Sequence, residues 1–387
     1  MGTQTKNEYL QTIRPRYQAA SKSDKKKILD EFCITCGYNR KYAIRILNST
    51  KSVNSPENLS KRGRKTIYQE ALISTVLIDI WKITNLPCSK RLKAILPLWL
   101  PFYEKNHIPE DTYNKLLNIS AATIDRIMAA DRTHFGKLGL STTKPGSLLK
   151  KHIPVKTGQW NENYPGFLEA DTVAHCGSSM AGMFVYTLNC VDIASEWTEQ
   201  RACWGKGEKG IVEQIESIEA HLPFPIKGFD CDNGSEFLNW HLIKHLTKRK
   251  RPIQFTRSRP YYKNDNAHIE NKNWTHIRQY LGYQRFDNPK LVELMNDLYS
   301  TEWNLYFNFF IPSVKLISKV RVGSKTIKVH DLPKTPYQRL IHSDYISDNT
   351  KRKLTELFVT LNPFHLQKQM ETKIKNIINL VNKNQIL

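Results

Sequence analysis

Between residues 165 and 256 the chain carries an order of elements that few folds satisfy. Apolar, β-rich stretches at residues 167–173, 183–191 and 195–203 are separated by Gly177-Ser178-Ser179 and by Asp192-Ile193-Ala194, so three sequential strands form an antiparallel meander. A helix over about 207–220, a strand over 225–231, a helix over 235–250 and a short strand over 252–256 follow. Strands first paired antiparallel, then alternating with helices, predict an α/β core with a mixed five-stranded sheet of the ribonuclease-H-like type.

Three acids stand out on this frame. Asp171 closes the apolar stretch 167–170. Asp232 precedes the turn residues Asn233-Gly234, and Glu270 lies in a later helix, with 60 residues between the first two acids and 37 between the second and third. Glu169 shares strand parity with Asp171, and Asp230 with Asp232. The later member of each pair is the better candidate, because a side chain at a strand end leaves the sheet edge into a cleft. On the helix, Glu270, Trp274, Ile277 and Leu281 fall on one face. A carboxylate continuing an apolar stripe is costly unless a cation compensates it; the alternative is an acid in the first turn, favoured by the helix dipole. Mg²⁺ prefers carboxylate oxygens, water and phosphate. Two such ions, with Mn²⁺ as a substitute, would share Asp171, with Asp232 on one and Glu270 on the other, in a phosphoryl-transfer site. His175 shares parity with Asp171 and reads as a structural histidine.

The field around these acids is positive. The 387 residues carry 58 Lys+Arg against 36 Asp+Glu, a formal charge of +22. A neutral metabolic enzyme does not need that field, whereas a polyanion binder does, because neutralising phosphates releases counterions. Seven scattered cysteines and no signal-like start predict a reduced cytosolic protein. The near-apolar stretch 94–103 is too short to span a bilayer. Cys33-x-x-Cys36 lacks a second Cys pair or a nearby histidine and reads as thiols on a helix.

Residues 1–65 hold fifteen Lys or Arg and five acids. A helix capped by Ser23 with Ile28, Leu29 and Phe32, a break at Gly37, and a second stripe of Ala43, Ile46 and Leu47 predict a helix-turn-helix that leaves Asn39, Arg40, Lys41 and Arg45 to meet DNA. An ordinary helical hairpin is the alternative. The linker that follows carries Arg62 and Arg64, which can lie along a groove; a solvated connector is the equal alternative. A second helical unit ends in a helix capped by Ser120, with Ile124 and Ile127 inward and Ala121, Ala122, Thr123 and Arg126 outward. Before Glu270, the loop with Arg257, Arg259, Tyr261, Tyr262 and Lys263 can position a phosphate backbone and stack on a nucleotide.

The Asp, Asp232-Asn233-Gly234-x-Glu236-Phe237 and Glu pattern resembles the catalytic domain of retroviral integrases and of bacterial insertion-sequence transposases of the DDE type. Asp171-Thr172-Val173-Ala174-His175-Cys176-Gly177, Ser258-Arg259-Pro260-Tyr261, Lys263-Asn264-Asp265-Asn266-Ala267-His268 and Asn308-Phe309-Phe310-x-Pro312-Ser313-x-Lys315-Leu316 are similar to those transposases as well. The resemblance implies recognition of terminal inverted repeats, liberation of 3′-hydroxyls by hydrolysis, and strand transfer into target DNA within a homo-oligomer. It carries the family's triad to Asp171, Asp232 and Glu270. Retroviral integrases have an N-terminal His/Cys zinc unit that this chain lacks, which favours the bacterial class.

The expected organisation is a multidomain chain. A helix-turn-helix domain (1–60) and a second helical DNA-binding domain (61–137) lead through a linker (138–160) to an integrase catalytic core (161–290). A mostly helical and extended C-terminal region (291–387) follows. Residues 316–329 read as a basic extended arm, and 356–382 as an amphipathic helix for DNA contact or subunit assembly. The expected partner is double-stranded DNA, at the element ends and the target, in a cytoplasmic, nucleoid-associated setting with no membrane. A transposase-derived DNA-binding protein without catalysis, and a ribonuclease-H-like nuclease, are the other readings.

Overall fold

The computed structural model describes residues 2–49, 67–68, 70–105, 107–133, 164–232, 234, 236–237, 239–258 and 267–384. The chain divides into two compact units, Met1–Ile67 and Tyr68–Leu387.

Among its described residues the first unit has three helices, α1 (Thr3–Ala19), α2 (Lys22–Cys36) and α3 (Arg40–Leu47). They close over a core of their own, in which Leu10, Ile13, Tyr17, Leu29, Phe32, Ala43 and Leu47 are buried. The cap of α2 is Ser21 rather than Ser23: its hydroxyl accepts from the Asp24 amide at 3.3 Å. Gly37 ends α2 in the left-handed region at φ 66°, where a Cβ is penalised, and donates its N–H to the Cys33 carbonyl. Asn39 then caps α3 by accepting from the Lys41 amide at 3.0 Å. Cys33 and Cys36 are free thiols on α2.

The second unit opens with α4 (Ala71–Ile83), α5 (Ser89–Trp99), α6 (Glu110–Asn118), α7 (Ala121–Ile127) and α8 (Ala129–Thr133). These helices share one apolar core with the sheet that follows. The Trp99 indole donates to the Phe310 carbonyl at 3.4 Å and Arg91 to the Pro312 carbonyl at 2.7 Å. The helical segment therefore packs against the sheet-bearing region instead of standing apart from it.

The sheet comprises β1 (Phe167–Ala174), β2 (Val185–Asp192), β3 (Thr198–Trp204), β4 (Gly228–Cys231) and β5 (Gln254–Arg257), in the order β3-β2-β1-β4-β5. β1, β2 and β3 pair antiparallel, while β4 and β5 run parallel to β1. The crossovers contain α9 (Glu208–His221) and α10 (Trp240–Thr247). Every residue of β2 is buried, as expected of a strand covered on both faces.

The helix α11 (Ala267–Lys272) continues through a π-helical segment, Asn273–Arg278, into α12 (Gln279–Leu281). Then α13 (Lys290–Leu298), a second π segment (Tyr299–Trp303) and α14 (Asn304–Phe310) lie along the edge strand β3. Two asparagines from this helical run satisfy that edge. Asn308 accepts from the Thr198 amide and donates to the Thr198 carbonyl, both at 2.9 Å. Asn296 does the same for Ala202 at 2.7 and 3.0 Å. Side-chain amides thus complete backbone groups that an edge strand otherwise offers to another chain.

Residues 316–329, expected as an extended arm, form a two-stranded ribbon, β6 (Leu316–Val322) with β7 (Lys325–His330). α15 (Pro336–Ile341), α16 (Asp348–Thr360) and α17 (Pro363–Asn384) follow. The apolar stripe of α17 packs inward: Leu366, Met370, Ile377 and Val381 are buried in the chain's own core, and α17 packs on α13 and α14. Among the described residues no helix is long and apolar enough to cross a membrane.

Candidate active site

β1 and β4 pair in register from Phe167↔Gly228 to Ala170↔Cys231, so the next step along both strands sets Asp171 beside Asp232. Asp232 follows the last residue of β4, as expected. Asp171, expected at a strand end, lies within β1, which runs on to Ala174 because its antiparallel pairing with β2 continues to Ala174↔Tyr186. The cleft opens where β4 stops, not where β1 does.

The two rejected neighbours are structural. Glu169 is buried and accepts from the Ile269 amide at 3.3 Å, tying the first turn of α11 to β1. Asp230 is buried and accepts from the Thr256 hydroxyl. Asp171 and Asp232 are partly exposed. Asp171 accepts from the Thr172 amide at 2.7 Å and from Nδ2 of Asn273 at 2.6 Å. Asp232 accepts from the Gly234 amide at 2.8 Å.

Electrostatically the pair is costly. Burial, then the charges of Asp232 and Glu236, push the Asp171 carboxyl up to about 8. Burial and Glu236 push Asp232 up to about 6, against the stabilising Gly234 amide and Lys206. Adjacent carboxylates with too little positive charge between them suit a divalent cation.

Glu236 is the carboxylate that sequence reasoning passed over, although the Asp-Asn-Gly-x-Glu-Phe string contains it. It is 3% exposed; its Oε1 accepts from the Thr172 hydroxyl at 2.6 Å and from Nζ of Lys206 at 2.7 Å. Its Oε2 has no hydrogen-bond partner among the described residues. A Cβ placed on Gly234 would lie 2.6 Å from that oxygen and 2.9 Å from Oδ1 of Asp232. Glycine here permits the close approach of the two acids.

Glu270 departs from expectation. It is exposed, whereas Ile269, Lys272, His276, Ile277 and Leu281 are buried. The π segment beginning at Asn273 takes more residues per turn than an α-helix. The 3.6-residue phase that aligned Glu270 with Ile277 and Leu281 is lost, and Asn273 reaches Asp171 instead. The helix carrying Glu270 is nonetheless pinned to β1 on both sides of it, through Glu169 and through Asp171. Among the described residues no three His, Cys, Asp or Glu side chains converge as metal ligands.

His175 is fully buried, bonded to the Thr187 hydroxyl at 2.8 Å and stacked on Phe286, and burial holds its ring down at about 3. It is not a proton shuttle for the acids.

Of the expected DNA-contacting residues, Lys41 and Arg45 are exposed on α3, with Arg45 over the Tyr42 ring. Arg40 is held in an ion pair by Asp30. Arg126 is exposed on α7 and donates to the Thr123 hydroxyl at 3.1 Å. Arg257 is buried at the end of β5, so its expected exposure to a phosphate backbone is corrected. Arg62, Arg64, Arg259, Tyr261 and Lys263 lie outside the described residues.

No protein-family model matches the chain. It is 34% identical over 339 residues to the uncharacterized protein y4rM of Sinorhizobium fredii, across 87% of this chain and 95% of that protein. Among solved structures it is similar to a chain of the simian T-cell lymphotropic virus intasome in complex with the PP2A regulatory subunit B56 gamma. That overlap has a TM-score of 0.33 at 14% identity and covers 62% of this chain and 73% of that one. The catalytic core domain of BIV integrase overlaps with a TM-score of 0.27 at 13% identity, over 45% of this chain and 91% of that one.

Proposed function

We propose that this chain, which belongs to the same family as the Sinorhizobium fredii protein y4rM, is a DNA transposase with a ribonuclease-H-like (integrase) core. It binds element ends, frees their 3′ ends and joins them to target DNA. The observation that carries this reading is the juxtaposition of Asp171 and Asp232 on adjacent parallel strands, each raised by burial and neighbouring acids, in a chain of net charge +22. The five-stranded order with β1 central supports the fold assignment, and the motif resemblance supports the reaction class.

Asp171, Asp232 and Glu270 are the residues that would hold divalent cations, two Mg²⁺ with Mn²⁺ as a substitute. When bound, such ions supply activation of the attacking oxygen and stabilisation of the leaving oxygen. The chain's own groups orient the ligands: Asn273 and the Thr172 amide fix the Asp171 carboxylate, and the Gly234 amide fixes Asp232. Lys41, Arg45, Arg62, Arg64, Thr123, Arg126, Arg259, Tyr261 and Lys263 are the proposed DNA contacts, and assembly on two ends calls for a homo-oligomer.

The test is incubation of the protein and Mg²⁺ with DNA carrying the element's ends. Joined products that vanish in Asp232→Asn are expected. Binding without cleavage would assign a DNA-binding role alone, and cleavage without end preference would assign a nuclease.

A further inference from the structure

Between Lys315 and the acid Asp331, the chain makes a ribbon that stands outside both apolar cores. β6 and β7 pair from Leu316↔His330 to Val322↔Lys325, closed by a two-residue turn in which Gly323 takes φ 60°. None of Leu316, Ile317, Val320, Val322, Ile327 and Val329 joins either apolar core, and β7 is exposed along its whole length. A two-stranded hairpin alone is marginal in water. Among the described residues this one is held at its root. Asp331 accepts from the Lys315 amide at 2.6 Å and pairs with Arg339, and Ser313 bridges Lys334. The anchoring is firm and the ribbon beyond it is bare, which is the build of an arm that gains its partner from outside.

The charge on the arm identifies that partner. From Asn304 to His330 there is no acid, while Lys315, Lys319, Arg321, Lys325 and Lys328 are basic. Strand alternation puts Arg321, Thr326 and Lys328 on one face; Val320, Val322, Ile327 and Val329 line the other, with Lys325 beside Val322 at its turn end. Lys325 and Lys328 form no ion pair among the described residues. A polyanion supplies the countercharge that these two lysines lack. A two-stranded ribbon has the width that the major groove of B-DNA admits.

We infer that the β6–β7 ribbon is a duplex-DNA-binding arm, its phosphate contacts made by Arg321 and Lys328 from one face and by Lys325 from the turn end. The inference rests on the reading of DNA as the substrate and adds a binding surface to it. The test uses the full chain, a fluorescently labelled duplex of mixed sequence, and binding followed by anisotropy across a salt series. For Arg321→Gln/Lys325→Gln/Lys328→Gln the slope of log affinity against log salt should fall by about 2 to 3, at roughly 0.9 for each phosphate no longer neutralised. Affinity at physiological salt should drop about tenfold or more. All three sites are exposed, and circular dichroism checks the fold. Val320→Thr/Ile327→Thr, which leaves the charges in place, should bind as the unaltered chain does. If the unaltered chain binds no duplex, the DNA reading itself fails. If it binds and the triple glutamine variant matches it in affinity and slope, the ribbon inference alone is overturned. A loss confined to the threonine variant, with a changed sedimentation coefficient, would overturn it in favour of an interface between protein chains.

Discussion

Nδ2 of Asn273 donates to Oδ2 of Asp171 at 2.6 Å, and the Oδ1 of the same amide accepts from Nδ2 of Asn189 at 2.8 Å. Asn189 lies opposite Asp171 in the β1–β2 register and in turn accepts from Nε2 of Gln200 at 2.8 Å. A line of three amides therefore crosses from the edge strand to the first acid, each donor fixed by the next acceptor. With both ends of the Asn273 amide occupied, its orientation is set, and so is the free lone-pair direction of Asp171.

This arrangement makes Asn273 a positioning residue with a measurable signature. Asn273→Ala removes a donor that favours the ionised Asp171. Mutating a group that orients a metal-binding carboxylate costs about 10- to 100-fold in metal affinity or activity. Strand transfer titrated with Mg²⁺ should need correspondingly more metal, while duplex binding measured without metal is unchanged. Equal Mg²⁺ dependence in variant and wild type would remove Asn273 from the site.

The raised acids give a pH dependence with a definite sign. Asp171 and Asp232 bind their protons more tightly folded than unfolded. The stability they contribute is full below the ordinary carboxylate value of about 4. It is lost as the pH rises through about 6 for Asp232 and about 8 for Asp171. The melting temperature of the metal-free protein should therefore fall across that window, and Asp171→Asn should flatten the fall. Mg²⁺ should restore the wild type at alkaline pH and do little for Asp171→Asn. Scanning calorimetry across pH, with and without Mg²⁺, decides it; an identical Mg²⁺ response in both proteins would exclude Asp171 as a ligand.

Gly234 tests the packing of the acids more sharply than any acid does. A Cβ there would stand 2.6 Å from Oε2 and 2.7 Å from Cδ of Glu236, and 2.9 Å from Oδ1 of Asp232. Because Glu236 is held by Thr172 and Lys206, relief has to come from moving the turn that carries Asp232. Gly234→Ala should cost about 1–3 kcal/mol of stability, the range for overpacking, and abolish joining while leaving duplex binding intact. Wild-type joining by this variant would show that the turn is free to shift.

How much of this was legible beforehand depended on whether the signal was periodic. The five strands follow from β-rich stretches and turn residues; parity narrows the acids to two pairs, and position toward the strand end picks Asp171 and Asp232 as the candidates. The exposure of Glu270 does not follow, because a helical count assumes a constant phase and the π segment at Asn273–Arg278 breaks it. The roles of Asn189, Asn273 and Asn296 carry no sequence signal either, and Asn308 stands only in a motif string that does not reveal its partner. Polar residues buried to satisfy particular partners carry no period, and their partners lie up to 110 residues away. The basic stretch 316–329 was read from charge alone, which cannot separate an extended arm from a paired one. The Val-Ile alternation flanking Gly323-Ser324 was the hairpin signal available there.

The edge of the sheet offers a last prediction, on stability alone. Asn308 is fully buried and satisfies both the amide and the carbonyl of Thr198. Asn308→Leu keeps the volume, strands the buried Thr198 amide and leaves its carbonyl only the long 3.5 Å contact from Asn304, each lost partner costing about 1–3 kcal/mol. Unfolding free energy from urea titration should fall by about 2–5 kcal/mol. Asn296→Leu should be milder, because Asn296 is only partly buried. The two pairs meet the strand four residues apart, at Thr198 and Ala202, with no shared partner. Their costs should therefore add to within about 0.5 kcal/mol. A double variant no less stable than Asn308→Leu alone would show that the edge had already been released by the first change.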